Sequence, residues 1–552
     1  MASQRPSLLQ SIGKLHRVLL LDRREIGAIY VFAVLAGLVQ LSLPLGIQSI
    51  INFTMAGSLS TSVVVLIVLV LSGVFVNGLL QVRQLQIIEK IRQKLYVRYS
   101  LEFSERLPQL NMEKLDHVYL PETVNRHFES VSLQKGLDKL LVDLPAAAIQ
   151  VLLGLILLAF YHPVFIAFGL VLIGVVLSII IITSQNGLQT AVQASSYKYA
   201  VVAWLQEIAR SLKTFKYTKG TFLHMRRTDE LLSGYLRTRT SYFTILNRQF
   251  WSLVSFKTAI TAAMLIIGTF LLVDQQINIG QFIAADIVII AIIGSIEKII
   301  THLDPVYDAM VSVEKLSDVT GASTEESGSF EFPASPDGVA LRFHEVQFAY
   351  HDQPPVLSNV NIDVQPGQML LICGPSGSGK SSLLRLLTGA FVQYEGSITL
   401  DGLPLKNYSI ASLRGRTGIL LGSQDIFQGT LWENLTMGLA VAPAQVNELV
   451  ALTGLNRFLA QCPNGYDTYL QPLGNKLPNA VRKNILLVRA LLGNNRLLLL
   501  EEPFEHLVEP FRTNVIRYLA DKKETTVLIA SKDEALSAYC DQIIRLETPG
   551  MA

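Results

Sequence analysis

Six long apolar stretches dominate the first 303 residues of the chain. Each is close to the length that an α-helix needs to cross a lipid bilayer, and several contain Gly or Pro, which membrane helices tolerate. The pattern predicts an all-α transmembrane domain of six spanning helices over residues 27–303. The predicted spans are residues 27–50, 61–82, 144–162, 163–184, 251–273 and 282–303.

The segments between these stretches differ in positive charge. The short turns Thr54–Thr61, Tyr161–Pro163 and Asp274–Gly280 contain no Lys or Arg, whereas segments 83–143 and 185–250 are rich in both. Basic segments tend to stay on the cytoplasmic side of a membrane. We therefore expect both termini and the two long segments to be cytoplasmic, with helical patterns that extend the membrane helices.

Residues 1–26 are rich in Lys and Arg and contain no small-residue cleavage site, so they are not expected to be a removable signal peptide. Their basic and apolar positions predict an amphipathic helix on the cytoplasmic membrane surface, and an ordinary soluble helix is the alternative. The apolar residues at helical spacing are Leu8, Ile12, Leu15 and Leu19.

Four charged residues stand inside the apolar stretches, where charge is costly. They are Lys257, Asp286, Glu297 and Lys298. Asp286 and Glu297 are eleven residues apart, which places them on one helical face about three turns apart. This pair could line a polar pathway. Alternatively, Glu297 and Lys298 pair locally or reach the cytoplasmic interface.

The sequence pattern changes after residue 303. Residues 304–338 include the runs Glu325–Ser329 and Pro333–Pro336, whose composition is typical of a linker. From about residue 339, short apolar strand patterns alternate with helical patterns. We therefore predict a multidomain protein, in which a C-terminal α/β domain over residues 339–552 follows the transmembrane domain.

Overall composition agrees with a membrane protein. Half of the 552 residues are hydrophobic, 16% are charged and the mean hydropathy is +0.39, which is too apolar for an average soluble protein. The net charge of +2 and the lack of a Lys/Arg-rich tract argue against a nucleic-acid partner. Cys373, Cys462 and Cys540 show no metal-ligand or paired spacing and are expected to be reduced, packed thiols.

Residues 374–381 form a phosphate-loop motif, with two glycines separated by four residues and followed by Lys380 and Ser381. An apolar strand pattern precedes it and a helical pattern follows. In this setting the backbone N–H groups surround phosphates, Lys380 reaches the β- and γ-phosphates, and the Ser381 hydroxyl ligates Mg²⁺ of bound ATP or GTP. The predicted nucleotide-binding residues are Gly374, Pro375, Ser376, Gly377, Ser378, Gly379, Lys380, Ser381 and Ser382.

A six-span membrane domain joined to a P-loop NTPase domain resembles a half-transporter of the ABC (ATP-binding cassette) exporter family over essentially the whole chain. By this resemblance Tyr350 stacks on adenine and Gln424 reaches Mg²⁺. The run Leu497–Pro503 contains Glu501, which orients the metal, and Glu502, the general base. The resemblance implies ATP and Mg²⁺ as cofactors, and short helices near residues 110–130 and 195–213 that contact nucleotide domains.

Several family motifs are altered in this chain. Glu501 stands where the family has Asp, and Ser531 stands where it has His. The family signature Leu-Ser-Gly-Gly-Gln, which grips the γ-phosphate held by the opposite subunit, reads Leu477-Pro478-Asn479-Ala480-Val481 here. The segment Glu505–Val508 lacks the family's aspartate. We expect the helix after Pro478 to remain and its phosphate contacts to be lost.

These features lead to two principal predictions of function. The first is an ATP-binding subunit of a dimeric exporter, in which ATP binding, with slow hydrolysis at most, drives export across the membrane. The alternative is a non-hydrolysing regulatory or scaffold subunit beside an active ABC partner, so ATPase activity is left open. An ATP-gated channel is a third interpretation, for which the sequence has no filter-like signature.

The predicted surroundings follow from the same resemblance. The protein is expected to be a multi-pass protein of the bacterial inner membrane, with its nucleotide domain in the cytoplasm. Expected partners are membrane lipid, an identical or different half-transporter and, if the cargo is a protein, a periplasmic adaptor. The cargo is not determined by the sequence, and both lipids and polypeptides stay open.

Overall fold

The computed structural model describes five stretches of the chain: residues 8–55, 61–115, 120–220, 222–351 and 353–547. The chain divides into two compact units. Unit 1 comprises Met1–Gln109 and Val118–Ala322, and unit 2 comprises Leu110–His117 and Ser323–Ala552. Residues 56–60 of the predicted turn Thr54–Thr61, and the side chain of Leu8, lie outside the described part.

Unit 1 is helical. Among its described residues, six stretches are long and apolar enough to cross a membrane, starting at Arg23, Thr61, Leu120, Val164, Leu223 and Ile279. This confirms the predicted six-helix, all-α fold. The helices up to residue 320 are α1 (Leu8–Leu20), α2 (Arg23–Gln40), α3 (Ser42–Met55), α4 (Thr61–Arg106), α5 (Met112–Leu115), α6 (Leu120–Asn125), α7 (Glu129–Asp138), α8 (Leu144–Tyr161), α9 (Val164–Arg210), α10 (Leu212–Tyr217), α11 (Leu223–Val273), α12 (Ile279–Thr301) and α13 (Leu303–Thr320).

Three of these helices are longer than a bilayer requires. Helices α4, α9 and α11 contain 46, 47 and 51 residues, and at about 1.5 Å per residue each extends roughly 70 Å. Each runs without interruption between an apolar stretch and a charged segment. The short helix α5 groups instead with unit 2, where the Asn111 N–H donates to the Ser323 carbonyl at 3.0 Å.

The structure corrects the predicted linker over residues 304–338. Its first half is helix α13, and the first unit ends at Ala322. Val306, Met310 and Val313 recur at spacings of three and four and are buried, which makes α13 an amphipathic helix rather than a flexible connection. At the N-terminus, α1 packs on α13 through an ion pair between Lys14 and Glu314 at 2.8 Å.

The four charged residues within the membrane helices comprise one ion pair and two residues outside it. Lys257 of α11 and Glu297 of α12 form an ion pair at 3.0 Å, which is the local pairing considered for Glu297 above. Lys298 is exposed. Asp286 is half-buried on α12 and has no ionic partner among the residues that the structure describes.

Unit 2 is the predicted α/β domain. The strands are β1 (Leu341–Phe348), β2 (Leu357–Val364), β3 (Met369–Cys373), β4 (Glu395–Leu400), β5 (Leu403–Pro404), β6 (Thr417–Leu420), β7 (Gly429–Thr430), β8 (Tyr469–Leu470), β9 (Leu497–Glu501), β10 (Thr526–Ala530) and β11 (Gln542–Arg545). Among the described residues, β2-β1-β4-β5 form an antiparallel sheet, β11-β3-β10-β9-β6 a parallel sheet and β7-β8 a short antiparallel pair. The helices are α14 (Lys380–Leu387), α15 (Ile410–Gly415), α16 (Leu431–Thr436), α17 (Pro443–Leu452), α18 (Asn456–Leu459), α19 (Asn479–Leu491) and α20 (Phe511–Asp521).

The central strands of the parallel sheet are apolar and buried because both faces of the sheet are covered. Alternate side chains of β9 enter two different cores, with Leu497 and Leu499 on one face and Leu498 and Leu500 on the other. The carboxyl ends of β3, β6, β9 and β10 meet at one edge. Polar residues that follow these strands are therefore brought together, although they are far apart in the sequence.

Candidate functional site

The phosphate loop lies between β3 and α14. Gly377 and Gly379 have φ angles of 87° and 91°, in the left-handed region that favours glycine. At Gly379 a Cβ atom would also lie 2.6 Å from Cδ2 of Leu357, whereas at Gly377 it would meet no atom within 4 Å. Backbone conformation therefore requires glycine at both positions, and close packing requires it again at Gly379.

Lys380 is folded over this loop. Its Nζ donates hydrogen bonds to the carbonyl oxygens of Gly374 at 2.6 Å and Pro375 at 2.7 Å. Burial lowers the pKa of the Lys380 ammonium, and the nearby Glu502 carboxylate acts in the opposite direction. The ammonium group is thus held over the loop, where it could exchange these carbonyls for phosphate oxygens.

Glu501 ends β9 and uses both of its carboxylate oxygens. The Ser381 hydroxyl donates to Oε1, and the Gly422 N–H donates to Oε2 at 2.7 Å. One side chain therefore links the start of α14 to the loop that follows β6.

Glu502, the next residue, is held from a different direction. Its Oε2 accepts a hydrogen bond from the Ser531 hydroxyl at 2.7 Å, and its Oε1 accepts from the Lys532 N–H at 3.0 Å. Its φ of 44° is uncommon for a residue with a side chain, and its own N–H donates to the Ala530 carbonyl at 2.8 Å. The end of β10 thus holds the backbone of Glu502, and the two residues after that strand hold its carboxylate.

The side chains of Tyr350 and Gln424 each contact protein residues close to them. The Tyr350 hydroxyl lies 3.0 Å from Oγ of Ser382, and its ring packs edge-on against Phe348. Oε1 of Gln424 accepts a hydrogen bond from the Leu421 N–H at 3.2 Å, so this side chain is folded onto its own loop. The structure therefore does not bring Gln424 to Ser381, although the resemblance places both at Mg²⁺.

The altered signature segment precedes α19, which begins at Asn479. Pro478 has extended backbone angles, and Pro478 and Asn479 are exposed, while Ala480 is half-buried. Leu477 and Val481 pack against an apolar cluster of unit 2. The helix is therefore present after the altered residues.

A cavity of about 880 Å³ gathers most of the predicted site residues. Tyr350, Gly374, Pro375, Ser378, Gln424 and the segment 477–481 are not part of its lining. The predicted residues that line it are Ser376, Gly377, Gly379, Lys380, Ser381, Ser382, Glu501, Glu502 and Ser531.

Three basic residues of the cavity lining were not predicted from the sequence. They are Lys483, Arg512 and Lys532. Arg512 forms an ion pair with Asp533, which also lines the cavity. The position of Lys532 directly after Ser531 was a usable signal, whereas the sequence holds no comparable spacing for Lys483 or Arg512.

The residues present fit Mg·ATP. The volume lies within the range of about 300–1,000 Å³ that is usual for small-molecule sites, and Ser381 and Glu501 offer the oxygen atoms that Mg²⁺ prefers. Over the described ranges, no group of three or more His, Cys, Asp or Glu side chains is arranged to hold a metal.

Comparison with protein families gives two matches. The ABC transporter family matches residues 357–505, and the ABC transporter transmembrane region matches residues 26–296. Together they span most of the chain, and the boundary between the helical and α/β units at Ala322 lies between the two matched ranges.

Comparison with curated proteins finds relatives of the same kind. An uncharacterized ABC transporter ATP-binding protein of Bacillus subtilis is 28% identical over 280 residues, which is 50% of this chain and 48% of that protein. The cyclolysin secretion/processing ATP-binding protein of Bordetella pertussis is 27% identical over 357 residues, 62% of this chain and 49% of that protein. The alpha-hemolysin translocation ATP-binding protein of Escherichia coli O157:H7 is 26% identical over 336 residues, 60% of this chain and 47% of that protein.

The chain spans about half the length of the curated relatives it matches. Among solved structures, a bacterial Atm1-family ABC exporter with ATP bound has a TM-score of 0.85 and 17% sequence identity. The match covers 95% of this chain and 94% of that one. It shows that the two proteins share a fold.

Proposed function

This chain belongs to the ABC transporter family, and from that premise we propose that it is an ATP-binding half of a dimeric exporter. Its helical unit forms one half of a path across the membrane. Its α/β unit binds Mg·ATP, and binding at the interface of two such units drives the change in the membrane part. Hydrolysis accompanies this at a slow rate.

One observation carries the proposal. Lys380, Ser381, Glu501 and Glu502, from the phosphate loop and the end of β9, line one cavity at the carboxyl edge of a parallel sheet. Lys380 and the loop N–H groups bind phosphate oxygens. Ser381 and Glu501 would hold Mg²⁺, and Glu502 would accept a proton from the attacking water. Bound Mg·ATP supplies the phosphoanhydride bond that is cleaved.

The local contacts support slow hydrolysis. A general base needs an oxygen directed at water, and each carboxylate oxygen of Glu502 already gives one of its acceptor sites to a hydrogen bond from Ser531 or Lys532. The signature segment has Pro478 where the family has a hydroxyl, and Pro has no N–H group to offer a phosphate. A homodimer carries both changes in each of its two sites.

A second candidate function is favoured by the same segment. Pro478 and Asn479 are exposed at the start of α19. They stand where the family has Ser and Gly, so the phosphate contacts that a partner's site needs are removed. Next to a partner with an intact signature, this chain would retain Lys380 and Glu502 in one site and offer Leu477–Val481 to the other. The chain would then act as a non-hydrolysing regulatory or scaffold subunit.

ATP binding and ATP hydrolysis by the purified chain distinguish these functions. We expect Mg·ATP to bind, and turnover to stay well below about 1 s⁻¹, the low end of usual enzyme rates. Turnover that rises when a half-transporter with an intact signature is added supports the regulatory role. Failure of the wild-type chain to bind Mg·ATP, with Lys380→Ala as the reference for lost binding, would reject both functions.

The proposed location and cargo rest on the positive charge of the long segments and on the names of the relatives. We place the protein in the bacterial inner membrane with the α/β unit in the cytoplasm, because the basic segments mark that side. Two relatives are named for cyclolysin secretion and alpha-hemolysin translocation. A protein cargo with a periplasmic adaptor is therefore one option for this chain, and lipid export is the other.

A further inference from the structure

We propose that Glu501 is a positioning residue that couples metal binding at Ser381 to the loop of residues 421–424. In this role Glu501 replaces Gln424, the residue that reaches Mg²⁺ according to the family resemblance. The inference rests on the proposed binding of Mg·ATP and concerns how the site communicates with the rest of unit 2.

The first support is the two-armed contact of the Glu501 carboxylate. One oxygen accepts from the Ser381 hydroxyl, and the other accepts from the Gly422 N–H at 2.7 Å. Hydrogen bonds to a charged acceptor are stronger than neutral ones. Ser381 and the 421–424 loop are thus connected through the carboxylate of Glu501.

The second support is the sheet register. Strands β6 and β9 are parallel neighbours, with Leu420 opposite Leu500. Glu501 and the loop after β6 therefore leave the sheet side by side, at a separation that the strands fix. An Asp at position 501 would be one methylene shorter, and its carboxylate would not span both Ser381 and Gly422 from the same backbone.

The third support is the position of Gln424. The side-chain Oε1 of Gln424 accepts from the backbone N–H of Leu421 at 3.2 Å, and the backbone N–H of Gln424 donates to the Leu421 carbonyl at 3.1 Å. Its side chain thus closes the loop on itself. Among the contacts that the structure describes for this loop, the one from Gly422 to Glu501 leads to the phosphate-loop side of the cavity.

Coupling follows from the charge of the metal. A divalent cation is the largest local charge in such a site, and it attracts the same carboxylate oxygens that now accept from Ser381 and Gly422. Binding of Mg²⁺ at Ser381 therefore changes the hold of Glu501 on the Gly422 N–H. The 421–424 loop responds to metal occupancy without contact from Gln424.

Hydrogen–deuterium exchange in peptides covering residues 419–426 tests this inference in the full-length protein. In the nucleotide-free state, Glu501→Asp should exchange the Gly422 amide about tenfold faster, because a charge-assisted hydrogen bond is lost. On addition of Mg·ATP the wild type should change its exchange in this loop. Glu501→Asp should lose that response, and Gln424→Ala should keep it.

Two further variants complete the experiment. Glu534→Asp makes the same change at an exposed residue of unit 2 that pairs with Arg545, and it should behave as the wild type. Glu501→Gln keeps the length but offers one acceptor oxygen instead of two, so it should also lose the Mg·ATP response. It serves as the second test if Glu501→Asp fails to fold.

The outcomes separate this inference from the proposed function. Unchanged Gly422 exchange in nucleotide-free Glu501→Asp overturns the inference, whatever the affinity for ATP. A loop response that is lost in Gln424→Ala and kept in Glu501→Asp overturns it as well. Absence of Mg·ATP binding in the wild type instead contradicts the proposed function, while the nucleotide-free comparison still decides the role of Glu501.

Discussion

The hydroxyl of Ser531 donates a 2.7 Å hydrogen bond to Oε2 of Glu502. Ser531 is buried at the end of β10, and Glu502 directly follows β9, the neighbouring strand. A hydrogen bond to a charged acceptor contributes about 1.5–3 kcal/mol. The side chain that stands in the position of the family histidine therefore holds Glu502, the proposed general base, and it is too short to reach far into the cavity.

This relationship predicts the effect of Ser531→His. A longer side chain with a ring N–H can reach the phosphate side of the cavity, and one preorganised donor is commonly worth about 10²–10³ in turnover. We expect Ser531→His to raise the ATP turnover of the homodimer about tenfold or more, and Ser531→Ala not to raise it. Equal turnover in all three proteins, with nucleotide binding and unfolding temperature intact, would show that Ser531 does not limit hydrolysis.

Nucleotide affinity should depend on Lys380. Lys380→Ala removes a charge-assisted contact to phosphate of about 1.5–3 kcal/mol, so the Kd for Mg·ATP should rise roughly tenfold or more. Lys523→Ala, at an exposed lysine that pairs with Asp541, is the matched control and should bind as the wild type. Equilibrium binding of a fluorescent ATP analogue measures both, and an unchanged Kd in Lys380→Ala would remove the assigned role.

The thiol of Cys540 should titrate at alkaline pH. Burial raises its pKa to about 11, and the neighbouring Asp541 carboxylate adds to the shift. Since the thiolate is the reactive form, its alkylation by iodoacetamide should accelerate about tenfold per pH unit between pH 8 and pH 10. Peptide mass spectrometry of the folded protein measures this rate. A rate that levels off below pH 9 would contradict the raised pKa of Cys540.

The membrane orientation can be tested by cysteine labelling. The turn Asp274–Gly280 has no Lys or Arg, so a cysteine at Gln276 should react with an impermeant reagent from outside intact cells. A cysteine at Gly57, which lies outside the described residues, should react in the same way. A cysteine at Ser327 should react after lysis and not before it. Labelling of Ser327→Cys in intact cells would contradict the proposed topology.

Local sequence patterns were sufficient to predict the strands and helices that follow from hydrophobic and charged positions along the chain. The apolar run Met369–Cys373 became β3, fully buried in a parallel sheet, and the charged segments became extensions of α4 and α9. The predicted linker failed because an amphipathic helix directly follows the last span, with Pro305 near its start. The linker-like runs Glu325–Ser329 and Pro333–Pro336 begin only after this helix has ended at Thr320.

The contacts of the site depend on tertiary neighbours, and the sequence alone does not contain them. Glu501 was identified as a longer replacement for Asp, but its bridge to Gly422 arises because β6 and β9 are adjacent in the sheet. Gln424 was identified by its motif, whereas its side chain is bound within its own loop. Motifs located these residues, and strand order determined what each one contacts.

The central claim is that this chain binds ATP in a site whose hydrolytic contacts are impaired. Steady-state turnover of saturating Mg·ATP by the purified homodimer tests it most directly. The wild type is compared with a variant in which Pro478→Ser, Asn479→Gly and Ala480→Gly are combined. We predict wild-type turnover well below about 1 s⁻¹ and at least tenfold faster turnover in the variant. Wild-type turnover at about 1 s⁻¹ or faster would contradict the account.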